Sequence, residues 1–330
     1  EATSSPRDTL KVRAGPTVLQ TLSNANAALG YQLKTVDLSA YSGRTIVLSF
    51  TDVEGDGAAT SFLLDDTSVT SWQATPSTAI FSPLDFTGDH KSDVMRVTPA
   101  GELYLYRGNG LGAFSGPGTK IGSGWGGFAR VFSPGDFTGD GKSDILAVKT
   151  NGDLYVYRGS GLGGFTGAAT KVSAGWAGFS KVFSPGDFTG DGRSDVMAVL
   201  GSGDLFLFRG NGQGGFTGRA TRIGTGWGGF AKVFSPGDFT GDGRSDIMAV
   251  GSNGDLHLYR GNGIGGFWGA GTKIGAGWAM FVSEFSPRDF TGDGRSDVLG
   301  VQSTGRLYLY RGNGLGGFVG SGVRITPALS

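Results

Sequence analysis

The chain has 330 residues, of which 38% are hydrophobic, and its 28 basic and 28 acidic residues give a net charge of zero. Cysteine is absent, which excludes disulfides, thiolate metal sites and a cysteine nucleophile. No run of eighteen apolar residues is present, so no membrane span is expected. We interpret the lysines and arginines as ordinary solvated side chains, with weak attraction to anionic polymers as the alternative, and expect no nucleic-acid partner.

Residues 1–75 are predicted to form β-sandwich-like strands. Short runs at 17–22, 32–36, 45–50 and 61–64 show the two-residue alternation of β-strands. The phrases at 31–43 and 60–69 resemble the last strands of a jelly-roll domain found in secreted bacterial proteases. In that family the closing strand ends in an Asp pair, which corresponds to Asp65 and Asp66. We interpret this pair as structural rather than catalytic.

The jelly-roll resemblance covers only about half of such a sandwich, and half a sandwich leaves open sheet edges. Two explanations remain open. The first half was cut away and remains bound as the other part of a cleaved precursor, or these strands pack on the rest of the chain. The polar start of the chain, without a signal sequence, is typical of a processed terminus.

Residues 76–330 contain five copies of one unit at a spacing of 51 residues. In the second copy, strands are predicted at 130–134, 144–148, 154–158 and 170–173, with a tight turn at Asn151-Gly152. Four short strands at a constant period are typical of a propeller blade. The sequence therefore predicts an all-β protein: a five-bladed β-propeller with four-stranded blades of 51 residues, preceded by the strands of residues 1–75.

Each copy contains an acidic loop, for example Asp136-Phe137-Thr138-Gly139-Asp140-Gly141-Lys142-Ser143-Asp144. Carboxylates at its first, fifth and ninth positions and Gly at the sixth suit a loop that wraps Ca²⁺. Position three is Thr, whose neutral hydroxyl weakens the site, and position seven offers its carbonyl. The alternative is five ordinary Asp-Gly turns. The predicted ligands, for up to five Ca²⁺ ions with one in each loop, are Asp85, Thr87, Asp89, Lys91, Asp93, Asp136, Thr138, Asp140, Lys142, Asp144, Asp187, Thr189, Asp191, Arg193, Asp195, Asp238, Thr240, Asp242, Arg244, Asp246, Asp289, Thr291, Asp293, Arg295 and Asp297.

The acidic loops resemble FG-GAP (VCBS-type) repeats, which are known from integrin alpha-chain propellers and secreted bacterial proteins. The resemblance implies a loop that joins the first two strands of a blade and holds calcium through positions one, three, five and nine. The first loop departs from the pattern because His90 replaces Gly, at a cost of about 1 kcal/mol. A second phrase, residues 121–128 and its copies, resembles tachylectin-like five-bladed lectins, which implies N-acetylglucosamine binding between blades.

Tryptophan recurs eleven residues before the first Asp of four loops, at Trp125, Trp176, Trp227 and Trp278, and we interpret Trp72 as a shifted equivalent. Each indole either wedges between adjacent blades or forms a platform for a sugar ring. An arginine ends the third strand of every copy. We predict salt bridges or carbonyl contacts between blades for these arginines, with ligand contacts as the alternative, at Arg107, Arg158, Arg209, Arg260 and Arg311.

No catalytic motif is present: there is no Gly-x-Ser-x-Gly elbow, no His-Glu-x-x-His helix, and the two histidines lie at non-equivalent positions. We therefore expect no enzyme. The sequence favours a secreted, extracellular, calcium-braced binding module that recognises a glycan at repeated sites between blades. The alternative is an interaction with an extracellular protein, as a regulatory or accessory domain of a secreted protease. A glycoside hydrolase is the least favoured function.

Overall fold

The computed structural model describes residues 9–23, 47–53 and 79–325. The chain divides into two compact units, residues 1–73 and 74–330. In the first unit, β1 (Thr9–Ala14), β2 (Thr17–Ser23) and β3 (Leu48–Val53) form an antiparallel sheet in the order β2-β1-β3. β2 matches the predicted strand at 17–22, and β3 overlaps the one at 45–50. The strands predicted at 32–36 and 61–64, the pair Asp65 and Asp66, and Trp72 lie outside the described residues.

The second unit contains five antiparallel sheets of four consecutive strands each, which confirms the predicted all-β propeller. Each sheet is built from a single copy of the repeat. The strands are β4 (Ile80–Leu84), β5 (Asp93–Val97), β6 (Leu103–Tyr106) and β7 (Thr119–Gly122) in blade 1; β8 (Phe128–Gly135), β9 (Asp144–Lys149), β10 (Leu154–Tyr157) and β11 (Thr170–Ser173) in blade 2; β12 (Phe179–Gly186), β13 (Asp195–Leu200), β14 (Leu205–Phe208) and β15 (Thr221–Gly224) in blade 3; β16 (Phe230–Gly237), β17 (Asp246–Gly251), β18 (Leu256–Tyr259) and β19 (Thr272–Gly275) in blade 4; and β20 (Phe281–Arg288), β21 (Asp297–Gln302), β22 (Leu307–Tyr310) and β23 (Val323–Ile325) in blade 5.

The first strands of the blades pack against one another in a closed ring. β4 contacts β8, β8 contacts β12, β12 contacts β16, β16 contacts β20, and β20 contacts β4 again. The first strand of each blade is therefore the innermost one and faces the propeller axis. The second strands are buried on both faces, as Ile145, Leu146 and Ala147 show. Apolar side chains from adjacent blades merge into shared cores, for example Leu105 of blade 1 with Ile145 of blade 2, so burial of apolar area holds the blades together.

Short connections carry the repeated tryptophans from one blade to the next. Each contains a three-residue 3-10 helix that begins at the tryptophan, and the glycine before it has a left-handed backbone, for example Gly175 with φ 92°. These helices, which were not predicted from the sequence, are Trp125–Gly127, Trp176–Gly178, Trp227–Gly229 and Trp278–Met280. Within the described ranges, no helix is long and apolar enough to cross a membrane.

Candidate functional site

The acidic loops are organised around the carboxylate of their first Asp. Oδ1 of Asp136 accepts hydrogen bonds from the backbone N–H groups of Gly139 (2.6 Å) and Asp140 (3.2 Å), and its Oδ2 accepts one from Gly141 (2.8 Å). The same three bonds recur in the other four loops. The loop therefore wraps its backbone around a negative charge, as Asp side chains commonly do in turns.

The ninth Asp of each loop is buried and hydrogen-bonded to the backbone. Oδ2 of Asp144 accepts from the N–H groups of Phe137 (3.0 Å) and Thr138 (2.9 Å), and Oδ1 accepts from Gly159 (3.1 Å). The carboxylate thus ties the loop to the Gly-rich bend that follows the third strand. Burial raises the pKa of Asp144, although the N–H of Phe137 opposes the shift. In the first loop burial raises the pKa of Asp93 to about 6.

The third-position threonines present a donor set that fits a cation in part. The Oγ1 atoms of all five are buried, and each lies near the carboxylate of its ninth Asp and lowers the pKa of that carboxyl without forming a hydrogen bond of good geometry: Thr87, Thr138, Thr189, Thr240 and Thr291. A bound cation would give this poorly partnered hydroxyl oxygen a second partner. Against this, no three acidic or histidine side chains of the described residues are grouped closely enough to hold a metal ion.

The groups that fit Ca²⁺ chemistry are the threonine hydroxyl, the first and fifth carboxylates and the seventh carbonyl. The first Asp already accepts three N–H groups, and the ninth Asp accepts three in loops 2 to 5 and two in the first loop. All 25 predicted ligands, including the ninth-position ones, stay predictions. In the first loop His90 has a left-handed backbone, with φ 62°, and its N–H still reaches Oδ2 of Asp85 at 2.8 Å. The histidine thus adopts the turn that glycine adopts in the other loops.

Aromatic rings connect each acidic loop to the neighbouring blade. Between blades 1 and 2, the ring of Phe86 lies 5.3 Å from that of Phe165, which stacks on Trp125 at 5.5 Å, and Trp125 lies 4.6 Å from Tyr157. Phe86 belongs to the loop of blade 1, and Phe165 to the bend of blade 2. The same arrangement recurs at the next three interfaces. The loop, the bend and the tryptophan therefore form one packed unit at each of these interfaces.

The four repeated tryptophans are only 3–5% exposed and lie between blades. Their ring faces are covered by neighbouring aromatics, as a wedge between blades requires. The sugar-platform interpretation of Trp125, Trp176, Trp227 and Trp278 stays a prediction. Nε1 of Trp176 donates a hydrogen bond to Oγ of Ser173 at 2.7 Å. The other three have glycine at the position of Ser173. A Cβ there would lie only 2.6 Å from Nε1 of Trp125 or Trp278, and their indole N–H has no acceptor among the described residues.

A cleft of about 480 Å³ lies between blades 2 and 3. Trp176 lies at its base, and the partly exposed rings of Phe179, Phe208 and Phe216 line it. Gly175 and Gly218 also line the cleft, where the absence of side chains leaves room for a ligand. These phenylalanines were not predicted as site residues. Their signal in the sequence is the aromatic at the end of each third strand and the Gly-Phe pair of each bend.

The arginines that end the third strands form no polar bridge between blades, although Nη2 of Arg107 lies 3.4 Å from the Cβ position of Gly163 in the next blade. All five are exposed and make no ion pair or hydrogen bond through their guanidinium groups to any described residue. The prediction of salt bridges or carbonyl contacts was therefore wrong. The carboxylate at the other end of the third strand pairs with the fourth strand, as Asp153 does with Lys171 at 2.7 Å, and is out of reach of Arg158. Contact with a ligand stays a prediction for Arg107, Arg158, Arg209, Arg260 and Arg311.

Comparison with solved structures finds other proteins of limited similarity. The BP39L lectin from Burkholderia pseudomallei is 21% identical over 77% of this chain and 71% of that chain, with a TM-score of 0.42. A mutant of AofleA from Arthrobotrys oligospora is 13% identical over 87% of this chain and 78% of that chain, with a TM-score of 0.45. BBS1N in complex with ARL6DN is 13% identical over 75% of this chain and 83% of that chain, with a TM-score of 0.38.

No curated protein sequence matches the chain. A family model for FG-GAP-like repeats matches it three times, at residues 85–147, 136–198 and 187–249. These overlapping segments together span half of the chain, from the first acidic loop into blade 4. Each segment contains two acidic loops and the strands between them, which is the geometry described above. The chain therefore belongs to the FG-GAP-like repeat family.

Proposed function

We propose that this propeller is a secreted, non-catalytic module that binds glycans in the clefts between adjacent blades. The observation that supports it best is the cleft between blades 2 and 3, with its partly exposed Phe179, Phe208 and Phe216. Ligand sites are typically concave and mostly apolar, with a few polar groups that orient the ligand. The apolar face of a pyranose ring fits such aromatic rings, while its hydroxyls need donors and acceptors at the rim.

The polar groups beside the tryptophan differ between the blade interfaces. At Trp125, Trp227 and Trp278 the indole N–H is free to donate to a sugar hydroxyl, because glycine replaces the serine that accepts it at Trp176. Similar clefts repeated around one ring would sum weak single-site binding into avidity for a polymeric glycan. The tachylectin-like phrase favours an N-acetylated hexose as the sugar.

The test is a variant that fills four clefts at once. Ser123, Ala174, Thr225 and Ala276 are equivalent, exposed residues two positions before each tryptophan. Lysine at all four positions covers the clefts and leaves the aromatic core intact, and serine at the same positions is the matched control. We expect the wild type and the serine variant to bind N-acetylglucosamine oligomers on a glycan array, and the lysine variant to bind at least about tenfold more weakly. Equal binding by both variants, or no glycan bound by the wild type, contradicts the proposal.

We further propose that Ca²⁺ braces the acidic loops. Bound calcium would supply positive charge to the first and fifth carboxylates and a partner for the buried hydroxyl of the third-position threonine. The first Asp already gathers three N–H groups, so the loop is shaped before any ion binds. Because Phe137 packs on Phe216 of the next blade at 5.4 Å, a firmer loop also stiffens the adjoining cleft.

A second candidate, binding of an extracellular protein, is favoured by exposed aliphatic side chains at the tips of four bends. Leu111, Leu162, Ile264 and Leu315 are 74–81% exposed at equivalent positions, where blade 3 carries Gln213. One apolar side chain at the same tip of four blades offers an equivalent contact four times, which suits a multivalent protein partner. Glutamine at all four positions copies the blade 3 sequence and should abolish protein binding without changing glycan binding. A protein partner that binds this variant and the wild type equally contradicts this second candidate.

A further inference from the structure

The inner strands of all five blades place a Ser-Pro-x motif around the propeller axis. The serine hydroxyls surround a channel that encloses about 40 Å³, lined also by residues Leu84, Gly186, Gly237 and Arg288. Each serine donates to the backbone carbonyl of the ninth loop Asp, as Ser286 does to Asp297 at 2.6 Å, and accepts the N–H two residues ahead. These hydroxyls therefore already hydrogen-bond to the backbone and stabilise the fold.

The third residue of the motif differs between blades in a way that stability does not explain. Blades 2, 3 and 4 carry glycine with φ 75–77°, whereas blade 1 carries Leu84 with φ 63° and blade 5 carries Arg288 with φ 59°. A left-handed backbone is unfavourable for a residue with a Cβ, and such strain is commonly found at functional sites. Arg288 is the only charged residue that lines the described channel.

The guanidinium of Arg288 extends across the channel. A Cβ built on Gly186 would collide with its Nη2, and one on Gly237 would lie 3.2 Å from its Nε. The two glycines therefore leave the space that the guanidinium occupies. No described carboxylate pairs with Arg288, and none of its side-chain N–H groups donates to a described acceptor, while its main-chain N–H donates to Ser286 at 2.9 Å. Arg288 is exposed to solvent within the ring of inner strands, and because no described carboxylate balances its charge, the surrounding strands concentrate a positive potential there.

Hydroxyl groups stand beside the guanidinium. Oγ of Ser245 lies 4.0 Å from the Cβ position of Gly186, the same point that Arg288 approaches, and Oγ of Ser194 lies 4.0 Å from that of Gly135. In contrast to the serines of the Ser-Pro-x motif, neither hydroxyl has a hydrogen-bond partner in the described part of the chain. The guanidinium of Arg288 and the hydroxyl of Ser245 therefore approach the same point beside Gly186, at the edge of the channel, and no described carboxylate pairs with either group.

We propose that the central channel is a binding site for a small inorganic monoanion, held by the guanidinium of Arg288 and the hydroxyl of Ser245. The channel volume of about 40 Å³ admits a chloride or bromide ion with a water molecule, and excludes a sugar or a nucleotide. Such an anion neutralises the guanidinium and links blade 5 to blade 4 beside the axis. This site is separate from the clefts between blades, and it does not depend on the proposed glycan binding.

Two measurements on the full chain test this proposal. In the first, the melting temperature is compared in chloride and in gluconate, which is too large for the channel, at equal ionic strength. We expect chloride at ten times its dissociation constant to raise the melting temperature by about 3 °C. Arg288→Gly, which copies the other blades, should abolish the difference, whereas Arg219→Gln, which removes an exposed charge, should leave it unchanged.

In the second measurement, crystals are soaked in bromide and anomalous diffraction locates the ion. We expect a peak beside the guanidinium of Arg288 in the wild type and none there in Arg288→Gly. This result does not require the variant to be as stable as the wild type. The proposal is overturned if the wild type shows no bromide peak in the channel, if its melting temperature is the same in both salts, or if Arg288→Gly keeps the response to chloride.

Discussion

Glu284 in the inner strand of blade 5 is predicted to make stability depend on pH. Its side chain is fully buried, Oε1 lies 2.8 Å from Nζ of Lys232, and Oε2 is buried without a hydrogen-bond partner. Lys232 also donates to the backbone carbonyl of Phe281. Blades 2, 3 and 4 carry valine at this position. Burial raises the pKa of Glu284 to about 7, with Lys232 opposing the shift.

The sign of the effect follows from the two pKa values. The pKa is 4.5 for an ordinary glutamate and about 7 in the folded protein. Between these values the folded state holds a proton that the unfolded state has released, so stability falls as the pH rises. At about 1.4 kcal/mol for each pH unit, the wild type loses about 3 kcal/mol between pH 4.5 and pH 8 through this group.

Replacement of Glu284 by Val should remove this loss. We expect Glu284→Val to be more stable than the wild type by about 3 kcal/mol at pH 8 and by much less at pH 4.5. Lys232 tolerates the change because its side chain is 27% exposed and its ammonium group keeps the hydrogen bond to the carbonyl of Phe281. Urea unfolding across this pH range measures the difference, with Glu284→Gln as a control that cannot titrate but keeps the shape. Parallel curves for the wild type and Glu284→Val would falsify the assignment of this pH dependence to Glu284.

Four further predictions concern the acidic loops. Asp195→Ala leaves the N–H groups of Phe188, Thr189 and Gly210 without their acceptor, so unfolding in urea should show a loss of about 3–6 kcal/mol. Asp191→Ala removes one loop hydrogen bond and should lower the free energy of unfolding by about 1 kcal/mol without calcium. Equal losses of stability for the two variants would argue against the stabilising role of the buried Asp195 carboxylate. His90→Gly relieves a left-handed backbone and should raise stability by about 1 kcal/mol, and a destabilised variant contradicts this reasoning. Chelation by EDTA should lower the melting temperature of the wild type, by a smaller amount in Asp140→Ala, which loses one of several sites; an unchanged melting curve removes the calcium proposal.

The blades were predictable from the sequence because their signals are local. Alternation in Leu154-Tyr155-Val156-Tyr157 and the turn at Asn151-Gly152 fix the third strand, and β10 spans Leu154–Tyr157 as expected apart from Arg158. Five copies of the same pattern then set the number of blades. β1 was not predicted, although Leu10, Val12 and Ala14 alternate with polar residues and are buried in its sheet. That signal was present in the sequence and was overlooked.

The roles of individual site residues depend on contacts that the spacing of the repeat does not show. Asp144 occupies a ligand position of the loop pattern, yet its carboxylate also binds the N–H of Gly159, fifteen residues further along the chain. The burial of Trp125 results from Tyr157 and Phe165 of the next blade. Such contacts exist only once the blades have stacked. The sequence alone therefore does not decide whether the tryptophan wedges between blades or forms a platform for a sugar.

The copies of the repeat differ most informatively where one of them departs from the others. The inner strand of blade 4 reads Phe-Ala-Lys-Val-Phe-Ser-Pro-Gly, and that of blade 5 reads Phe-Val-Ser-Glu-Phe-Ser-Pro-Arg. Selection for stability alone would keep valine and glycine, because Glu284 buries a carboxylate and Arg288 strains the backbone. Both departures add a charge close to the axis of the ring, where five equivalent strands meet. A local breach of the pattern that otherwise specifies a fold is expected at functional sites, and for this reason the axis, as well as the clefts between blades, is a place to test for ligands.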